Sequence, residues 1–192
     1  MKIIAACCKN FGIGIQNKIP WYIPEEFRYF KKMTSHGSNP TVIMGRNTWE
    51  SLPKKPLKNR KNIIISKTLK QEDVAEYKNT FVTDSISGIH YLTEKKDPNW
   101  ILGGEKIYNQ MIHSKEVNEI YLTYIDINYP CDTFFPVIPK FFNLKYVSNV
   151  QYSNDIQYNY QIWDKRYLGN TMRFNYPDDI NKILSRIWSF SN

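Results

Sequence analysis

No apolar run in this chain is long enough to cross a bilayer; the longest, Ile3 to Cys8 and Ile63 to Ile65, have the length of single buried strands. The apolar start is interrupted by Lys9, Asn10 and Gly12, so it reads as a first strand rather than a secretory leader. Cysteine is scarce and odd in number, with three residues, and no Asn-x-Ser/Thr acceptor occurs. That combination predicts free thiols in a reducing, cytoplasmic compartment. Histidine is equally scarce: His36, His90 and His113 are scattered without ligand spacing, and no metal site is expected. Neither G-x-G-x-x-G nor the Walker sequence is present, which disfavours a standard Rossmann or P-loop domain.

The chain does have enough apolar material, 42% of 192 residues, for one full core and one domain. Its formal charge of +8 is concentrated. Between residues 46 and 70 stand Arg46, Lys54, Lys55, Lys58, Arg60, Lys61, Lys67 and Lys70 against the single acid Glu50, so eight cations less one anion leave seven of the eight excess charges here. Such a window is a site for a multiply anionic ligand, a solvated basic face, or a nucleic-acid surface. Trp49 is its only aromatic, too little for base stacking, so nucleic acid is the disfavoured reading.

One carboxylate is out of place. Pro24 suits a first helical position, and the spacing predicts a helix from there to about Thr34. With a turn of about 100° per residue, Glu26, Phe27, Phe30, Met33 and Thr34 share one arc, and Glu25, Arg28, Lys31 and Lys32 the other. The second arc faces solvent and the first a core, which puts Glu26 among apolar side chains. A buried, ionised carboxylate either pairs or raises its pKa. The helix offers no cation on that arc, so a partner comes from elsewhere in the fold or from a ligand. The plainer alternative is that Glu26 snorkels out, or is tied to a core Thr or Tyr.

The remaining elements predict an α/β domain. Ile3 to Cys8, Thr41 to Met44, Arg60 to Ser66, Thr80 to Val82 and Trp100 to Leu102 read as strands, alternating with helices that include Ser85 to about Tyr91. Two strands end in glycine and open a helix, at Gly45-Arg46-Asn47-Thr48 and at Gly103-Gly104-Glu105-Lys106-Ile107. Backbone N–H groups at such junctions commonly hold phosphate, and two of them suggest a ligand with two separated phosphate groups. From Glu119 the chain turns to strands alone: Ile120 to Ile125, Asp132 to Pro136, Lys145 to Val150 and Tyr158 to Trp163, with a turn at Asn154-Asp155. The expected fold is a central, mostly parallel sheet closed by an antiparallel C-terminal hairpin, with helices on both faces. Ala5 and Ala6 are small enough for a flat ligand to approach the first strand, or simply for close helix packing.

Taken in order, Ala5-Ala6, Gly12-Ile13-Gly14, Ile19-Pro20-Trp21, Glu26-Phe27-x-x-Phe30, Val42 to Trp49, Leu57 with Arg60, Leu102-Gly103-Gly104-x-x-Ile107-Tyr108, Tyr121-Leu122-Thr123 and Asp132-Thr133-x-Phe135-Pro136 resemble dihydrofolate reductase of the eukaryotic type, over residues 2 to 167. The resemblance implies hydride transfer from NADPH to dihydrofolate, and competition by antifolate inhibitors. It implies that Glu26 binds the pterin and assists its protonation, with Trp21 and Thr123 beside it. Ile4, Ala5, Phe30, Leu52, Leu57, Leu102 and Tyr108 would border the substrate, and Arg60 would pair with the carboxylate of its glutamate tail. Around the cofactor, the resemblance implies Gly45, Arg46, Asn47, Thr48, Gly103, Gly104, Glu105, Lys106 and Ile107 at the pyrophosphate. Arg46, Ser66 and Lys67 would meet the ribose phosphate. Ala6, Ile13 and Trp21 would close over the nicotinamide, Gly14, Leu102 and Tyr108 would also contact the cofactor, and the loop from Asn10 to Trp21 is similar to the family's mobile lid, whose glycines let it move.

Residues 168–192 lie beyond the resemblance and form a C-terminal extension. In it Ile180, Ile183, Leu184, Ile187 and Trp188 make an amphipathic stripe, predicting a helix over about 178–190 that docks on its own domain or on a partner protein. Two other functional readings stand beside the reductase: an enzyme of the same fold acting on a different pterin or a flavin precursor, and a non-catalytic basic module that binds RNA.

Overall fold

The computed structural model describes residues 1–94 and 96–165; the expected domain limit at 167 and the helix at about 178–190 lie outside the described residues. The first half of the chain contributes β1 (Lys2–Cys8), β2 (Gly12–Gly14), α1 (Pro24–Thr34), β3 (Thr41–Gly45), α2 (Arg46–Ser51), β4 (Lys61–Ile65), β5 (Thr80–Thr83) and α3 (Ile86–Leu92). The second half adds β6 (Asn99–Gly103), α4 (Glu105–Met111), β7 (Glu119–Ile125), β8 (Thr133–Phe134), β9 (Phe142–Val147), β10 (Gln151–Ser153) and β11 (Ile156–Lys165).

Strand β1 is buried on both faces and takes the middle of the sheet, with β6 and β7 parallel on either side. Beyond β6 come β3, β4 and β5, all parallel; beyond β7 runs β11, antiparallel, with β9 and β10 sharing its outer edge. The parallel majority and the reversed C-terminal edge agree with the expectation. Asn154 and Asp155 both take positive φ, 48° and 64°, which closes the β10–β11 hairpin.

Apolar side chains pack on both faces. Ile4, Trp21, Tyr29, Met33, Trp49, Leu102 and Tyr121 form one layer; Ile3, Ala5, Ile89, Ile107, Tyr108, Met111 and Leu122 form the other. Alternation along β1 decides which residues serve which layer.

Two strands differ from the sequence expectation. Asp132 to Pro136 contributes only the two-residue β8, which leaves the main sheet and pairs with β2 in a separate ribbon. Prolines at 130, 136 and 139 cannot donate to a ladder and confine this stretch to a short edge. The strand placed at Lys145 to Val150 runs instead from Phe142, whose buried ring anchors its start, to Val147, and the separate β10 pairs with β11 across the Asn154-Asp155 turn.

Candidate active site

Helix α1 starts at Pro24 and ends at Thr34, buries Glu26, Tyr29, Met33 and Thr34, and leaves its basic last turn outward. Phe27, expected toward the core, is 37% exposed. Tyr29 takes the inner position and lies against Tyr160 of β11, with ring centroids 4.2 Å apart. The core-facing arc is set by where β11 lies, which the helix periodicity alone does not contain.

Glu26 is 5% exposed, and among the described residues no cation stands within ion-pair distance of it. Burial pushes its carboxyl up to about 7, and the Thr123 hydroxyl pulls the other way by a smaller amount. Thr123 Oγ1 nevertheless lies outside hydrogen-bonding geometry; it and Trp21 Nε1 are buried polar atoms with no hydrogen-bond partner among the described residues. Thr123 stands beside the Glu26 carboxyl, and these two unsatisfied atoms are available to a ligand. A carboxyl that is raised in the folded protein binds protons there that the unfolded chain has already released. Its penalty is therefore absent below the unfolded value near 4.5 and grows as pH rises through about 7. Glu26→Gln is expected to stabilise the ligand-free protein at pH 8 by about 3 kcal/mol, with the gain vanishing near pH 4. Thermal melts of both forms across pH check this.

Arg60 is the opposite case. It is 6% exposed, its Nη1 donates to Thr34 Oγ1 at 2.7 Å and its Nε to Lys58 O at 3.1 Å, and no carboxylate of the described residues pairs with it. Asn62, wholly buried, fixes this loop by accepting from Leu57 N–H and donating to the carbonyls of Leu57 and Arg60. Phe30, Leu52 and Leu57 are half-buried against the layer that holds Ile4, Trp21 and Leu102. Ala5 does not join them. It faces the opposite layer with Tyr108, whose hydroxyl donates to Ile4 O at 2.8 Å, so Ala5 can border the site only through its backbone. Tyr108 likewise supports β1 from behind.

The two glycine junctions are neighbours, not separate sites. Strands β3 and β6 are paired, Met44 opposite Gly103, and a Cβ on Gly45 would lie 3.2 Å from Ile107, one on Gly104 3.2 Å from Thr48 Oγ1. The result is one continuous backbone cradle rather than two distant phosphate subsites. Helices α2 and α4 are six and seven residues long, so what they present is N–H groups more than a long dipole. Gly103 has φ of +105°, and a Cβ there would stand 2.8 Å from the Tyr108 ring. Gly103→Ala is expected to cost about 2 kcal/mol, seen as a lower melting temperature with loss of cofactor affinity.

Beside the cradle, Arg46 is exposed; its Nη1 donates to Thr68 Oγ1 at 2.7 Å and its Nε meets Glu50 at 3.1 Å. Ser66 Oγ is occupied in accepting the N–H groups of Thr68 and Leu69, while Lys67 is exposed beside it. The sequence reading missed Thr68, whose contact with Arg46 spans 22 residues. Asn47 and Lys106 are exposed and Glu105 is half-buried at the helix starts, on the rim of the cradle.

The segment from Asn10 to Trp21 is moored along the strap that follows β7. Asp132 Oδ2 accepts Gln16 N–H at 2.7 Å, Thr133 Oγ1 donates to Gly14 O, and Tyr129 packs its ring 5.6 Å from that of Trp21. Ile13 is half-buried at the base. The positive φ values here belong to Phe11, Gln16 and Asn17. Gly12 and Gly14 serve a different need: a Cβ would strike Cys131 and Thr133, respectively. These glycines answer to close approach of the strap.

Compared with known proteins, residues 1–165 match the family model described as dihydrofolate reductase. The chain is 44% identical over 137 residues to the dihydrofolate reductase of Buchnera aphidicola from Acyrthosiphon pisum, covering 71% of this chain and 78% of that protein. It is 36% identical over 177 residues to that of Drosophila melanogaster, covering 85% and 96%, and 35% identical over 181 residues to that of Gallus gallus, covering 86% and 96%.

Proposed function

The chain belongs to the dihydrofolate reductase family, and from that premise we propose that it reduces 7,8-dihydrofolate to 5,6,7,8-tetrahydrofolate with NADPH, holding the substrate between Glu26 and Arg60. One observation carries this reading. Glu26, buried in the first turn of α1, meets no cation among the described residues, and Arg60, buried and held to Thr34 at the end of the same helix, meets no anion among them. A substrate with a hydrogen-bonding heterocycle at one end and a carboxylate at the other satisfies both. A pterin without a carboxylate tail would leave Arg60 unpaired.

Glu26, half protonated near neutrality, binds the pterin's amino group and ring nitrogen and favours protonation of the ring. Thr123 and Trp21 supply the donors and acceptor that the protein leaves unused beside it. The bound nicotinamide supplies the hydride. Ala6 and Leu102 leave room for it near β1, and the moored segment from Asn10 to Trp21 excludes water. The glycine cradle fits a pyrophosphate because close packing at Gly45 and Gly104 brings the backbone N–H groups of two helix starts together, and Arg46 with Lys67 supplies cations for a ribose phosphate, which favours NADPH over NADH. No helix of the described residues is long and apolar enough to cross a membrane. The free thiols of Cys7, Cys8 and Cys131 support a cytoplasmic setting.

The test is the loss of NADPH absorbance on adding dihydrofolate to the full chain, repeated with NADH. Oxidation of NADPH well ahead of NADH supports reaction and cofactor together. Equal rates would remove the phosphate role of Arg46 and Lys67, and no oxidation by folded protein would overturn the reading.

A further inference from the structure

Cys8 ends β1, and Cys131 lies in the strap that moors the lid segment; their sulfurs are 3.8 Å apart although 123 residues separate them. Cys8 Sγ donates to Asn10 Oδ1 at 2.7 Å, and Asn10 Nδ2 donates to Tyr129 O, two residues before Cys131. Gly12 sits directly over the pair: a Cβ there would stand 2.3 Å from Cys131 Sγ and 3.0 Å from Cys8 Sγ. Cys8 is wholly buried, whereas Cys131 is partly exposed and reachable by a small oxidant. Cys7, next in the chain, faces the opposite layer with its thiol pushed up to about 12 by burial, and it has no such neighbour.

We propose that Cys8 and Cys131 form a reversible regulatory disulfide that ties the strap to the end of β1 and slows the lid during turnover. The oxidant is a low-molecular-weight disulfide such as oxidised glutathione. Cys131 thiolate attacks it, a mixed disulfide forms and one glutathione thiol leaves. Cys8 then attacks the mixed disulfide at the Cys131 sulfur and releases the second thiol. The protein loses two protons and two electrons, and the glutathione disulfide is reduced to two thiols. Closing the sulfur gap to the ~2.05 Å of a disulfide pulls on a strap that touches Trp21 through Tyr129 and the lid through Asp132 and Thr133. It also removes the Cys8 donor from Asn10, whose Oδ1 receives Gly12 N–H at the root of the lid. Burial and the neighbouring sulfur push the Cys131 thiol up to about 11, so thiolate is scarce at neutral pH and the reaction quickens by roughly tenfold per pH unit up to that value.

The consequence for turnover rests on the reductase reading, but formation of the bond does not, so the experiment reads the two separately. The full chain is incubated with oxidised glutathione, and peptides are mapped by mass without reduction. The expected product is a Cys8–Cys131 linkage with loss of two hydrogens, reversed by dithiothreitol, and absent in Cys131→Ser and in Cys8→Ser. Turnover of the oxidised protein is expected to fall at least threefold and to return on reduction, while reduced Cys131→Ser keeps its rate in the presence of oxidant. A linkage involving Cys7, or only a stable mixed disulfide, would overturn the pairing. A Cys8–Cys131 bond that leaves turnover unchanged would overturn the regulatory role. A protein that forms the bond yet never reduces dihydrofolate would count against the reductase reading and not against the pairing.

Discussion

Replacing Glu26 by glutamine lowers turnover at neutral pH by roughly two to four orders of magnitude while leaving the fold and NADPH binding intact. Glutamine matches the size of the carboxyl and keeps a hydrogen-bonding carbonyl, so the apolar surroundings remain filled. What it lacks is a proton to share at the relevant pH. The parent protein carries a carboxyl raised to about 7 by burial, so the protonated share falls tenfold for each pH unit above that value. Activity per free enzyme, kcat/KM, is therefore expected to decline as pH rises through about 7, and the Glu26→Gln profile to lose that decline. Steady-state kinetics from about pH 5 to 9 decide it. A glutamine variant with near-parental rates across that range would remove Glu26 from the chemistry and leave it a binding group alone.

Arg60→Leu raises the KM for dihydrofolate by roughly a hundredfold or more, about 3 kcal/mol, with NADPH affinity changed less than about twofold. The guanidinium is 6% exposed and already pre-set by Thr34 and Lys58, which occupy its Nη1 and Nε and leave Nη2 without a carboxylate among the described residues. Such a group pairs a carboxylate at low entropic cost. Leucine also removes an unpaired buried charge, so the ligand-free variant is expected to melt within a few degrees of the parent. Isothermal titration with each ligand separates the outcomes. An equal loss of substrate and cofactor affinity, or a collapse in melting temperature, would make Arg60 part of the scaffold instead.

The helix that carries Glu26 was legible from Pro24 to Thr34, because a proline at the first position and a four-residue apolar recurrence are local facts. So were the strands that end in Gly45 and Gly103, since buried parallel strands read as unbroken apolar runs. Partner choice was not legible. Tyr29 rather than Phe27 turns inward because β11 supplies Tyr160, and Thr68 holds Arg46 because β3 and β4 are neighbours. Ala5 and Ala6 looked alike in sequence, yet the pleat sends them to opposite layers.

By itself, the sequence determined most of the element order, though not β2 or β10, together with the misplaced carboxylate, the basic window and the family, all of which depend on residue type and short spacing. Only the tertiary structure decided that, among the described residues, Glu26 meets no cation and Arg60 no anion, that the two glycine junctions fuse into one cradle, and that Cys8 meets Cys131. Those outcomes depend on contacts between residues far apart in the chain, where strand order and pleat set every distance and no local pattern records the partner.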